Sequence, residues 1–254
     1  MSELTTTEAA EQTGKPILEY GRSWMMAPGT IERGTELGLM QLGMFGFWVN
    51  GRAGVLGDVD ASLAASAIGF MAPEQVGTYW EGRSDELSAW DASLAWFEAA
   101  AEWGRATLAS MPEDRVRRLA DLARTLIDGA DASIGALFTG SKLIPLPGDA
   151  AGDATVNLNV LRELRGCAHL AASHAVGLGP HAAIMSTDDP IRGGVNWSET
   201  FGWTAPHPEP NPDARIQAEA ITTVAMSRVF ESLSGAERSE FAGLVAEARA
   251  AVPD

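Results

Sequence analysis

Cysteine is nearly absent from this chain. Cys167 is the only one in 254 residues, which rules out an internal disulfide and any metal site built from several thiolates. A reducing cytoplasm fits that usage. Lysine is almost as scarce: Lys15 and Lys142 are the only two among 18 basic residues, and with 34 acidic residues the formal net charge is -16. A surface of that sign repels phosphates except at a local basic patch, so nucleic acid is not expected as a partner. The one dense run of arginines, Arg115, Arg117, Arg118 and Arg124, alternates with Asp114, Asp121 and Asp128 and reads as a solvated face held by local ion pairs. No apolar run approaches a membrane span, and the opening MSELTTTEAAEQTG has neither the basic start nor the apolar core of a secretory signal. The expectation is a cytoplasmic chain with no membrane partner, in which Asn196-Trp197-Ser198 is not a glycosylation site.

Chemical motifs are also missing. There is no G-x-S-x-G nucleophile elbow and no Walker loop. Gly177-Leu178-Gly179-Pro180-His181-Ala182 has the letters of a dinucleotide fingerprint, but a long helical pattern precedes it where a strand is required, so no cofactor is expected. The four histidines, His169, His174, His181 and His207, include no pair at the i, i+4 spacing that seats one metal, and no metal site is expected. His207 sits among prolines as an exposed loop residue. Runs of β-branched residues and internal repeats are absent too, which leaves an all-α class.

What is present is helical periodicity, with 46% hydrophobic residues to build a core. Residues 1–19 lack apolar periodicity and read as a mobile arm, 20–204 as a helical bundle, and 205–254 as a proline-rich connector followed by helices that pack on the bundle. Thr30 to Val49 is apolar nearly all round, which predicts a buried helix broken by Asn50-Gly51. Asp58 or Asp60 is placed to cap a short helix from Ala61 to Phe70, and Pro73 starts the next. Ser84 to Leu108 is amphipathic. Ser110 and Glu113, like Ser234 and Glu237, have capping-box spacing, while Ser186 to Thr204 has the composition of a long loop.

The organising stretch is Thr155 to Gly179. At 100° per residue Val160, Leu161, Leu164, Cys167, Ala168, Ala171, Ala175 and Leu178 form one stripe, with Arg162, Arg165, His169 and Ser173 roughly opposite. This predicts a central helix of a multi-helix bundle whose polar face is the candidate site. Arginines flanking a histidine are suited to hold an anionic ligand while the imidazole moves a proton. Arg52, next to a very apolar helix, must find a carboxylate or a ligand, and Trp48 offers an apolar wall. Cys167 falls on the packing stripe as a small hydrophobe rather than a nucleophile.

Three segments carry a family resemblance: LGMFGFWVNGRAGVLGDV at Leu42 to Val59, FMAPEQV at Phe70 to Val76, and LRELRGCAHLAA at Leu161 to Ala172. They resemble the GRAAPLG, F-x-P-x-x-V and LREHRGDGH segments of an actinobacterial family of helical proteins with a winged-helix-like C-terminal part. Gly51, Arg52, Leu56, Gly57, Pro73, Arg162, Glu163, Arg165, Gly166 and His169 match. Leu164, Cys167 and Ala168 depart from its His, Asp and Gly, and Thr30 from an upstream His. The resemblance implies a helical fold with a degenerate winged-helix-like C-terminal part.

The functional expectation is a protein that binds a small organic molecule in an interhelical pocket. Arg162, Arg165, Arg52 and Trp48 hold the molecule, and His169 and Glu163 form the catalytic pair of a cofactor-independent lyase, isomerase or cyclase of specialised metabolism. The alternative is a non-catalytic regulatory or interaction protein of winged-helix descent, a homodimer joined through its helices. The first reading requires an enclosed cavity lined by His169 and both arginines.

Overall fold

The computed structural model describes residues 3–189 and 191–253. Those residues form an all-helical bundle around one buried central helix, with no strand among them. No helix is long and apolar enough to cross a membrane.

The chain opens with α1 (Thr6–Ser23), where an arm is expected. Thr5 and Glu8 close a capping box, and Ala9, Ala10, Thr13, Ile17 and Tyr20 are buried against the bundle. The expectation fails because this packing face is built largely of alanine and threonine, which carry little hydrophobic signal but permit close approach. The boundary expected at residue 19 falls inside this helix.

The predicted buried helix over Thr30 to Val49 is instead divided. α2 (Pro28–Glu36) and α3 (Gly46–Ala53) are separated by a short 3-10 turn at Met40–Leu42. Gly38 (φ 71°) and Gly43 (φ 126°) adopt left-handed backbone that ends helical runs. Asn50-Gly51 does not break α3, because the buried Asn50 amide donates to the Gly46 and Tyr79 carbonyls and so satisfies itself within the helix.

α4 (Ala61–Ile68) and α5 (Pro73–Glu81) follow, then the long α6 (Ala89–Thr107), N-capped by Ser88. Asp60 occupies the N-cap position of α4 without a side-chain cap bond, while Asp58 accepts from Arg83 and from the Ala89 amide. α7 (Glu113–Gly129) begins after Pro112, and the Ser110–Glu113 box does not form. Its arginines are mostly long-range ties rather than a solvated face. Arg115 pairs with Glu247, Arg118 with Glu240 and Glu237, and Arg117 with Asp153; only Arg124–Asp128 is local.

α8 (Ala136–Ser141) leads to the central helix α9 (Ala150–Ala175), which touches α1, α6, α7, α8 and α12. Asp149 caps α9 by accepting from the Gly152 amide. Its first half is buried all round, and several of its polar residues find partners inside. The Tyr20 and Thr155 hydroxyls bond at 2.8 Å, and Asn157 donates to the Ala120 carbonyl. Gly177 (φ 73°) ends the helix in a Schellman arrangement, with Leu178 N–H on the Ser173 carbonyl.

The expected loop over Ser186 to Thr204 lies beyond α10 (Pro180–Met185) and contains α11 (Gly194–Thr200). α12 (Pro212–Val229) and α13 (Gly235–Ala250) complete the bundle, and the Ser234–Glu237 capping box forms as its spacing predicts. Two cores result. The larger surrounds α9; a smaller one joins α3, α4 and α5 through Phe45, Val49, Ala64, Ile68, Val76 and Trp80.

Gly104 of α6 is where α9 comes closest: a Cβ there would lie 2.7 Å from Thr155 Cβ. A glycine-to-alanine change inside a helix ordinarily stabilises by about 1 kcal/mol. Here Gly104→Ala is expected to destabilise by about 1–3 kcal/mol in urea unfolding, because the helices must separate. A neutral or stabilising result would show that the contact yields.

Candidate functional site

The middle of α9 holds a buried charge with three charge-assisted hydrogen bonds. Glu163, 3% exposed, receives Arg52 as a fork, Nε on Oε1 at 3.0 Å and Nη2 on Oε2 at 2.7 Å. Arg162 Nη1 donates to the same Oε1 at 2.8 Å. The Arg52 guanidinium lies 4.3 Å over the Trp48 ring, which serves as its apolar floor. Burial alone would raise the Glu163 carboxyl, but Arg52 and then Arg162 outweigh it and hold the group below the ordinary carboxylate range. A carboxylate accepting three charge-assisted bonds is an anchor and a poor proton shuttle. Burial also depresses Arg162, to about 10, with Arg52 and Arg22 pushing in the same direction against Glu163.

Arg165 and His169 face elsewhere. Arg165 Nη2 meets Glu219 of α12 at 2.6 Å, and His169 Nδ1 lies 3.0 Å from Thr222 Oγ1. The Thr222 hydroxyl donates to the Ala218 carbonyl, so Nδ1 is the nitrogen that carries the proton toward it. Glu219 stands 3.9 Å from the ring, which tilts against Phe70 with centroids 5.8 Å apart. Burial lowers the His169 imidazole; Arg165 and Arg215 add to this and Glu219 opposes it.

The predicted polar face therefore divides. Arg52, Arg162, Glu163 and Trp48 form one group beside α1 and α3, and Arg165 with His169 another beside α12. The helical wheel places the Cα atoms of Arg162, Arg165 and His169 on one side, but the helices packed on that side draw the long side chains apart. The crevice that reaches Arg165, about 350 Å3 with its open mouth included, is lined by apolar residues such as Ile17, Leu126 and Met226 and does not include His169. Cys167, on α9, packs against Gly135, and burial pushes its thiol up, as suits a packing residue.

Two features escape the sequence reading. His207 is not an exposed loop residue: its side chain is 14% exposed, and its Nδ1 lies 3.0 Å from His181 Nε2. His181 stacks on Trp203 at 4.8 Å, and Trp203 Nε1 donates to the Phe70 carbonyl. The second feature is what that indole holds. α4, of eight residues, and α5, of nine, are joined by a four-residue turn, Gly69 to Ala72, opened by Gly69 at φ 81°. Both helices pack on α3 in their own small core. Phe201 accepts from the Ala72 amide, and a Cβ on Gly69 would strike Leu170 of α9. Two short helices around a glycine-containing turn of this length are the pattern of a helix-turn-helix. The visible signal is the apolar series Ala64, Ala65, Ile68, then Gly69, then Val76, Tyr79 and Trp80.

Glu163→Gln keeps the shape but leaves Arg52 and Arg162 without a counter-charge. It is expected to cost about 3–5 kcal/mol, lowering the melting temperature by on the order of 10 °C; a loss below about 1 kcal/mol would mean the triad is not an anchor. Burial lowers the His181 imidazole and His207 adds to it, so His181 and His169 both bind protons less tightly folded than unfolded. Stability is then complete above the ordinary imidazole range near 6.5 and is lost as pH falls through it toward the lower folded values. Urea midpoints at about pH 7.5 and pH 5.5 check this, and His169→Gln with His181→Gln should flatten the fall.

A family model described as a helix-turn-helix family matches residues 10–209. No curated protein and no solved structure matches the chain. The match overturns the exclusion of nucleic acid drawn from net charge, since such a family points to a DNA-binding unit. The physical reason is that net charge governs long-range, sequence-independent attraction, whereas one short helix reads base edges by local hydrogen bonds. The span of the match, which takes in α2 to α11 and most of α1, establishes that the chain belongs to the helix-turn-helix family.

Proposed function

We propose that the chain is a non-catalytic regulatory protein of helix-turn-helix descent that meets nucleic acid through α4 and α5. The observation that carries this reading is the α4–turn–α5 pair, seated on its own core and clamped at its turn by Phe201 and Trp203. Family membership supports it. The catalytic alternative loses its main support, because Glu163 is consumed by two arginines and His169 stands apart from them.

The outward face of α5 presents Glu74, Thr78 and Glu81, at i, i+4 and i+7, while Gln75 beside them packs against Gly202. Threonine suits base edges, and glutamate can accept from a cytosine amine. No lysine or arginine lies on this helix, so it adds repulsion rather than attraction toward phosphates. Binding by this face is therefore weak in one copy, and a homodimer is the form that makes it useful. α12 supports that form: Ile216, Ile221 and Val224 are 66%, 42% and 59% exposed, an apolar stripe suited to the same stripe of a second copy.

Selection from a random duplex library at low salt tests the reading. Enriched sequences should bind with a shallow salt dependence, a log–log slope no steeper than about -3. Glu74→Lys with Glu81→Lys should tighten binding by about tenfold and steepen the slope, and Ile216→Glu with Val224→Glu should yield monomers that bind more weakly. No enrichment, or lysine variants that bind as wild type does, would remove α5 as the contact.

A further inference from the structure

The stretch 201–207 joins the turn of the α4–α5 unit to α10. At the turn, Phe201 accepts from the Ala72 amide at 2.8 Å, Trp203 Nε1 donates to the Phe70 carbonyl at 2.9 Å, and Gly202 abuts Gln75 of α5. At α10, His207 Nδ1 faces His181 Nε2 at 3.0 Å. The Trp203 indole that grips the turn also stacks on His181, with the two ring planes 11° apart. The amides of Phe201 and Trp203 both reach the Ser198 carbonyl, which makes this stretch one piece with α11. The histidine pair and the stacked indole therefore fasten that piece, and with it the turn, to α10.

Two ring nitrogens 3.0 Å apart need one proton between them, because one must donate and the other accept. A neutral pair meets that requirement. So does a pair with one added proton, whose charge meets either the Trp203 face or Glu199 Oε1, 3.7 Å from His207 Nε2. A second added proton does not fit: both facing nitrogens then carry hydrogens, and two cations confront each other. Glu199 of α11 is the one carboxylate within 4 Å of either ring among the described residues. His207 is the charged group that bears on His181, while Arg165 of α9 and Glu219 and Arg215 of α12 act on His169 instead. Burial and His207 both lower His181, so the second proton arrives below the ordinary imidazole value near 6.5.

We propose that the His181–His207 pair is a pH-sensitive latch, which holds the turn of the α4–α5 unit while the two rings share a hydrogen bond and releases it when both are charged. Its effect on duplex binding rests on the nucleic-acid reading of α5, whereas the release is a property of the free protein. Protonation in general makes the net charge of -16 less negative and favours contact with phosphates. Binding that weakens on acidification therefore runs against bulk charge and is the mark of the latch.

Hydrogen exchange at pH 7.5 and pH 5.0 tests it, read by NMR as protection relative to the intrinsic rate at each pH. The Trp203 indole N–H, assigned by its absence from Trp203→Phe, is expected to lose at least about tenfold in protection at pH 5.0, while the Leu158 amide in the core of α9 stays protected and shows the bundle folded. His181→Gln keeps a bond to His207 through a side chain that does not titrate, and it is expected to hold the indole protected at both pH values, as is His207→Gln. A duplex enriched in the selection is expected to bind wild type at least about tenfold more weakly at pH 5.0 than at pH 7.5, and His181→Gln no more weakly. Unchanged indole protection in wild type, loss of protection at Leu158 as well, or the same indole loss in both glutamine variants would overturn the latch. Release of the indole with unchanged duplex binding would overturn its link to α5. If no duplex is enriched, the reading of α5 fails, and the exchange result still decides the latch.

Discussion

A carboxylate buried in the middle of a long helix dictates much of this architecture. Isolated in a dry interior, Glu163 would be strongly destabilising, and Arg52 and Arg162 must both reach it for the fold to tolerate it. Arg52 belongs to α3, so the triad fixes where that helix lies against α9. Two residues earlier, Asn50 ties α3 to α5 through the Tyr79 carbonyl and accepts from Arg83, which in turn holds Asp58. Polar bonds made by α3 thus tie it to the centre of the bundle on one side and to α5 on the other.

The same unit is held at its turn from another direction. α9 continues past the triad for three more turns, and its His169 and Leu170 close on Phe70 and Gly69. From the other side Phe201 and Trp203 take up the polar groups of the turn, and Trp203 is stacked on His181, which His207 meets. The α4–α5 unit is therefore positioned both by its own small core and by two distant parts of the chain.

The sequence made the class legible because helix periods are long here and Gly and Pro punctuate them. α5, α7 and α13 begin close to where their signals place them, and the Ser234–Glu237 box forms while the Ser110–Glu113 box does not. α1 escaped because alanine packing is silent in a hydrophobicity pattern. The site was harder to see. Arg52, Arg162, Glu163, Arg165 and His169 were each identifiable, but their grouping depends on which helices lie alongside α9, and a wheel drawn for one helix holds no such information. Net charge misled in the same way, since most of the arginines of α7 are spent on distant carboxylates and say nothing of α5.

Cys167 gives this chain a built-in reporter. Its side chain is packed against Gly135 just ahead of α8, and one turn before it on the same helix lies Glu163. With no second thiol to compete, the rate at which a small alkylating reagent modifies the native protein reports on that one partly buried seam. The surroundings of the central helix can therefore be followed without any label being introduced.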